Sequence, residues 1–164
     1  MIESLTVSRK ECYDDIIMSL VQGLLVKDDI NVIIQHYEDL EHSEKEVPTV
    51  GMINGYCFRA KADILGDGYI VDLKTCRNLK GFKWDARDYG YAAQVYIYTE
   101  LFDIDYTNWT FIAVDRNTGD FGFYTISEDF YLSGKQIVME GISNYKLIEK
   151  GQTEFEPRYI EEVL

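Results

Sequence analysis

Residues 59–75 read RAKADILGDGYIVDLKT, two β-rich runs on either side of Gly66-Asp67-Gly68-Tyr69. Asp67-Gly68 between such runs predicts a β-hairpin closed by a two-residue type I′ turn. Counting outward from that turn opposes Gly66 to Tyr69, Leu65 to Ile70, Ile64 to Val71 and Asp63 to Asp72. Because side chains alternate along a strand, Lys61, Asp63, Asp72 and Lys74 are expected on one face. Ala60, Ala62, Ile64, Val71 and Leu73 are expected on the other, as a core face. Opposed like charges destabilise a sheet, so the Asp63/Asp72 pair needs a partner. A hard divalent cation is one answer. Diagonal ion pairs, Asp63 with Lys74 and Asp72 with Lys61, are the other, and the hairpin alone leaves both open.

Working towards the N-terminus, Asn54-Gly55 signals a second hairpin turn, making residues 47–75 a meander. The same register carries Glu46 opposite Asp63, which would align Glu46, Asp63 and Asp72 across three strands. Pro48 lacks a ladder donor and restricts this strand to a sheet edge or a bulge. Glu44, of the same parity, and His42 are rivals to Glu46. Further back, Ser8 and Glu11 form a capping box opening a helix to about Leu25, and Lys27 to about Leu40 repeats the helical period.

Towards the C-terminus, 77–84 is expected as a loop and 85–101 as one helix, with Tyr89, Ala92, Ala93, Tyr96 and Ile97 as its apolar stripe. The small Ala92-Ala93 pair would let that helix lie close to the sheet. The apolar run WTFIAVD at 109–115 reads as a buried central strand, 121–126 as its neighbour, and 128–150 as a last helix ending before Gly151. The order predicts a mixed α/β sheet with helices on its faces, in a single domain. Its parts are an N-terminal helical layer (1–45), a core (46–151) and an acidic tail (152–164).

The chain has 164 residues and a formal net charge of −13, which disfavours indiscriminate nucleic-acid binding. Between Lys74 and Arg87, however, five cations stand against one acid, Asp85. Cys12, Cys57 and Cys76 are widely spaced, without a CxxC pair, and read as reduced, buried thiols of a cytosolic protein. No stretch has the roughly 20 apolar residues of a membrane span or the pattern of a signal peptide.

The combination of Asp63, Asp72-Leu73-Lys74 and Gln94-x-x-x-Tyr98 resembles the PD-(D/E)XK nuclease superfamily. The wording is most similar to RecE (exonuclease VIII) and lambda-exonuclease-like phage enzymes, with Gly51, Gly55, Thr75, Tyr89, Gly90 and Tyr91 also fitting. Ala62 stands where the superfamily's name has proline, and the C-terminal cysteines that hold an iron–sulfur cluster in some relatives are missing. The resemblance implies an αβββαββα core with an extra N-terminal helix. It implies Asp63, Asp72, the Leu73 carbonyl and Glu46 as ligands of Mg²⁺, with Mn²⁺ able to substitute. Lys74, Gln94 and Tyr98 would complete the catalytic set by orienting water or a phosphate. Arg77, Lys80, Lys83 and Arg87 would contact the DNA backbone while Trp84 stacks on a base. The activity implied is a 5′–3′ exonuclease on linear duplex DNA, of phage or prophage origin in a bacterial cytoplasm. A single-strand annealing protein is the implied partner and a homo-oligomeric ring the implied assembly. A non-catalytic DNA- or protein-binding module and a structure-specific endonuclease are the alternatives.

Overall fold

The computed structural model describes residues 43–153. The two predicted N-terminal helices, His42, Cys12 and nearly all of the acidic tail lie outside the described residues. The chain divides into Met1–Ser43 and Glu44–Leu164, and the fold below is that of the second unit.

Five strands form one mixed sheet in the order β1-β2-β3-β4-β5. They are β1 (Glu44–Ile53), β2 (Tyr56–Gly66), β3 (Tyr69–Cys76), β4 (Trp109–Asp115) and β5 (Phe121–Thr125). Helices α1 (Phe82–Asp88) and α2 (Tyr91–Phe102) cross from β3 to β4, and α3 (Glu128–Glu149) follows β5. Among the described residues only the β3–β4 pair is parallel, as expected of a connection long enough to contain helices. The mixed sheet is the one expected from the order of elements.

The meander register agrees with the counted one from Gly66↔Tyr69 through Ile64↔Val71 and from Ile53↔Tyr56 through Val47↔Ala62. Pro48 is tolerated because β1 is an edge strand. Asn54 and Gly55 both have positive φ, as a type I′ turn requires. The second turn differs from expectation. Only Gly68 has positive φ (78°), which is the type II pattern, with a left-handed residue at the third position alone.

Strict alternation also fails in β2. Ala62 and Leu65 pack into the same core cluster, with Ile70 and Val95, although period two would set them on opposite faces. Ala62 therefore belongs to the helix-covered side and not to the face opposite Asp72. The irregularity falls where the ladder skips Glu46 and Asp63, and Glu46 has a φ of 57°.

The single helix expected over 85–101 is two. Gly90 adopts φ 72° between α1, which ends at Asp88 with Tyr89 as its C-cap, and α2, which opens at Tyr91. The expected loop already turns helical at Phe82, because Phe82 and Ala86, four apart, bury themselves as a pair. Tyr89, expected in the apolar stripe, is 70% exposed at the break. The close approach allowed by Ala92 is made to α3, where a Cβ on Gly134 would lie 1.9 Å from the Ala92 carbonyl oxygen. The main core gathers Ile70, Phe82, Val95, Trp109 and Phe111 between sheet and helices. A second cluster of Ile53, Tyr96, Val138 and Ile142 joins α2 and α3 to the β1–β2 turn. Among the described cysteines Cys76 is buried as expected, whereas Cys57 is exposed.

Candidate functional site

Asp72 and Lys74 occupy the middle of β3 with a parallel neighbour on one side, Asp72 beside Phe111 and Lys74 beside Ala113. Helix α2 crosses this face, and Gln94 projects from its first turn onto both residues. Its amide nitrogen donates to Asp72 Oδ1 at 2.5 Å, and its carbonyl oxygen accepts from Lys74 Nζ at 3.0 Å. Lys74 closes the triangle as an ion pair with Asp72 Oδ2. One primary amide thus joins a carboxylate to an ammonium, using its donor on the first and its acceptor on the second.

Asp72 is 2% exposed. Burial pushes its carboxyl up to about 6, the nearby Asp63 charge pushes the same way, and Lys74 and Gln94 only partly oppose them. Its Oδ2 is buried, and outside the Lys74 ion pair it accepts no aligned hydrogen bond. A charged oxygen so placed is costly to leave without a cationic partner. Lys74 is fixed from beneath as well. Its ammonium lies 4.7 Å from the Tyr91 ring centre and 5.7 Å from that of Phe111, the positions of cation–π partners.

Asp63 is half-buried where the β2–β3 ladder stops. Its Oδ2 accepts the Leu73 N–H at 2.9 Å, so the side chain replaces the next rung and stands beside Asp72's strand. Glu46 sits opposite Asp63 by register, yet its carboxylate forms an ion pair with Lys61. No three acids, histidines or cysteines among the described residues form a ready-made metal cluster. The site therefore offers two converging carboxylates and the backbone between them, with Glu46 drawn aside.

Tyr98 lies one turn beyond Gln94, and a side-chain hydrogen bond with Gln94 ties it to the edge of the triangle. It packs edge-on to Trp109 at 5.7 Å. Burial raises its hydroxyl, with the Lys61 backbone and Gln94 acting in the opposite sense. Arg77, Lys80, Lys83, Trp84 and Arg87 are all exposed along the β3–α1 connection and α1. Lys83 rests 4.9 Å over the Trp84 ring. Reasoning from sequence gave no role to Tyr91 and Phe111, the rings beneath Lys74. Tyr91 was within reach of that reasoning, three residues before Gln94 on the same helix face, whereas Phe111 depends on the β3–β4 register.

A family model described as a PDDEXK-like domain of unknown function (DUF3799) matches residues 16–163. No curated protein matches the chain. Among solved structures, the chain resembles a Eubacterium rectale protein provisionally described as an exonuclease, with 19% identity and a TM-score of 0.58. That match covers 77% of this chain and 54% of the other, so the chain spans about half of that protein's length. The structure of SSO0001 aligns over 82% of this chain and 69% of its own at 17% identity, with a TM-score of 0.39, too low to bear on the fold.

Proposed function

The chain belongs to the PDDEXK-like domain family, and from that premise we propose that it is a divalent-metal-dependent deoxyribonuclease. The observation that carries this reading is Asp72: a buried carboxylate, raised by desolvation and by the charge of Asp63 beside it, whose Oδ2 is held only through the Lys74 ion pair. Such an oxygen suits a bound cation. Asp63, Asp72 and the Leu73 carbonyl would hold Mg²⁺ or Mn²⁺, with Glu46 joining if it releases Lys61; hard oxygen donors are what these ions take. When bound, the ion neutralises charge on the scissile phosphate and activates water.

The protein's own groups supply the rest. Gln94 holds Lys74 and Asp72 in fixed relation, and Lys74, anchored over Tyr91 and Phe111, presents its ammonium to a phosphate oxygen or an attacking water. Tyr98 supports α2 against β2 and Trp109, and so holds Gln94 in place. Arg77, Lys80, Lys83 and Arg87 bind backbone phosphates beside this site, and Trp84 stacks on a base. The left-handed Glu46, a conformation that costs about 1–3 kcal/mol in a non-glycine residue, fits a residue held for function.

The finer reading is an exonuclease working 5′–3′ on linear duplex ends during phage recombination in a bacterial cytoplasm, handing its product to a single-strand annealing protein. A ring of subunits would gather the few cations of an acidic chain into a channel. Among the described residues no helix is long and apolar enough to cross a membrane. Purified protein with linear duplex DNA and Mg²⁺ or Mn²⁺ should release nucleotides, while Asp72→Asn and Lys74→Ala should not. Equal release by those variants would overturn the assignment. Covalently closed circular DNA separates the modes, since a strict exonuclease leaves it intact and an endonuclease nicks it.

A further inference from the structure

Between α1, β5 and the start of α3 lies an open-mouthed cavity of about 170 Å³. Phe82, Phe111, Tyr124 and Phe130 line it, and the exposed Lys83 and Arg87 border it from α1. The Phe82 and Tyr124 rings lie 4.5 Å apart. Tyr124 donates its hydroxyl to the Leu79 carbonyl at 2.9 Å, so the aromatic wall turns its rings and not its polar end to the cavity.

The sheet ties this cavity to the Asp72 site. Asp72 pairs with Phe111 across β3–β4, and Phe111 pairs with Tyr124 across β4–β5. One row of the sheet thus runs from the carboxylate into the cavity wall. At roughly 4.7–4.9 Å per strand the two are within about 10 Å of each other. Phe111 belongs to both, lying under Lys74 and lining the cavity.

Size, chemistry and charge select the occupant. The cavity is smaller than the roughly 300–1,000 Å³ of pockets for drug-sized ligands, and neither a duplex nor a helix enters it. Aromatic walls stack on any base through its π-face. On a chain of net charge −13, the border carries two cations on the α1 side, while the first turn of α3 carries Glu128 and Asp129. A phosphate attached to the occupant is therefore steered towards Lys83 and Arg87.

We propose that this cavity receives one unpaired nucleobase of the strand whose backbone lies at Asp72 and Lys74, with Lys83 and Arg87 on its adjoining phosphate. The inference rests on the nuclease reading above. Its consequence is a preference for a frayed or unpaired nucleotide next to the scissile phosphate.

Binding tests it without hydrolysis. A DNA hairpin ending in one unpaired nucleotide, 5′ or 3′, is titrated with the protein in EDTA. The unpaired residue is either 2-aminopurine or an abasic sugar. The base-bearing end should bind about tenfold more tightly than the abasic end, as loss of one stacked base predicts, with a change in 2-aminopurine fluorescence. Ile126→Trp, a half-buried lining position of the same parity as Tyr124, should fill the cavity and abolish the difference in a variant that still unfolds cooperatively in urea. Equal binding of the two ends, or a difference that survives in folded Ile126→Trp, overturns the cavity proposal and leaves the nuclease reading standing. No binding of either hairpin overturns both.

Discussion

Asp72 is held with 2% of its surface exposed and its carboxyl raised to about 6 by burial. The sign of the consequence follows from linkage. An unfolded aspartate titrates near 3.8, so between about pH 4 and 6 the folded chain binds the extra proton. Without metal, Asp72 therefore lowers stability progressively as pH rises through that window, and the full penalty stands above it. Asp72→Asn mimics the protonated form, so its stability relative to the wild type should rise as pH climbs from about 4 to 6. Urea melts in EDTA across pH 3.5–7.5 measure this, and a difference between the two proteins that does not change with pH would contradict it. Gln94→Ala removes the link between Asp72 and Lys74 and leaves a buried carboxylate short of a donor. It should cost about 1–3 kcal/mol of stability and, in a cleavage assay, lower kcat by one to two orders of magnitude with little change in KM.

At the scale of elements, the α2–α3 contact is the tightest joint behind the site. A side chain at Gly134 would meet the backbone carbonyl of Ala92 at 1.9 Å, and backbone cannot swing aside. Gly134→Ala should destabilise by about 1–3 kcal/mol or more, read by thermal or urea unfolding, and should displace Gln94 two residues along α2. Strand registers and turns at Asn54-Gly55 were legible in the sequence because turn chemistry and period-two patterning are local. The same counting placed Asp63, Asp72 and Lys74 near one another, whereas Gln94 came in only through the resemblance of Gln94-x-x-x-Tyr98 to the nuclease superfamily, since no local pattern ties a helix residue to a strand 20 positions away. The break at Gly90 was not, because Tyr89 and Tyr91 keep an apolar pattern across it while only the backbone changes. Nor was the turning aside of Glu46 towards Lys61: register places a residue opposite its neighbour, but a left-handed φ then re-aims its side chain. The small Ala92 pointed to a close approach, and only tertiary packing decided that its partner was a helix.

At the scale of the molecule, an acidic chain that binds DNA must do so through a confined cationic strip. On the proposed function the residues from Lys74 to Arg87 would supply that strip, and Arg77, Lys80, Lys83 and Arg87 all stand exposed. Affinity for DNA should fall steeply with salt, and Lys80→Ala and Arg87→Ala should each lower the slope of log K against log salt by about one while weakening all sequences alike. Fluorescence anisotropy between 50 and 200 mM salt checks this; unchanged slopes would place the DNA on another face. On the proposed function this strip would guide a phosphate backbone, and a cation would sit between the carboxylates of β2 and β3. Isothermal calorimetry of Mn²⁺ into the metal-free protein measures that directly. The wild type should bind the ion at a site that Asp63→Ala and Asp72→Asn both abolish, whereas equal binding by all three proteins would contradict the account.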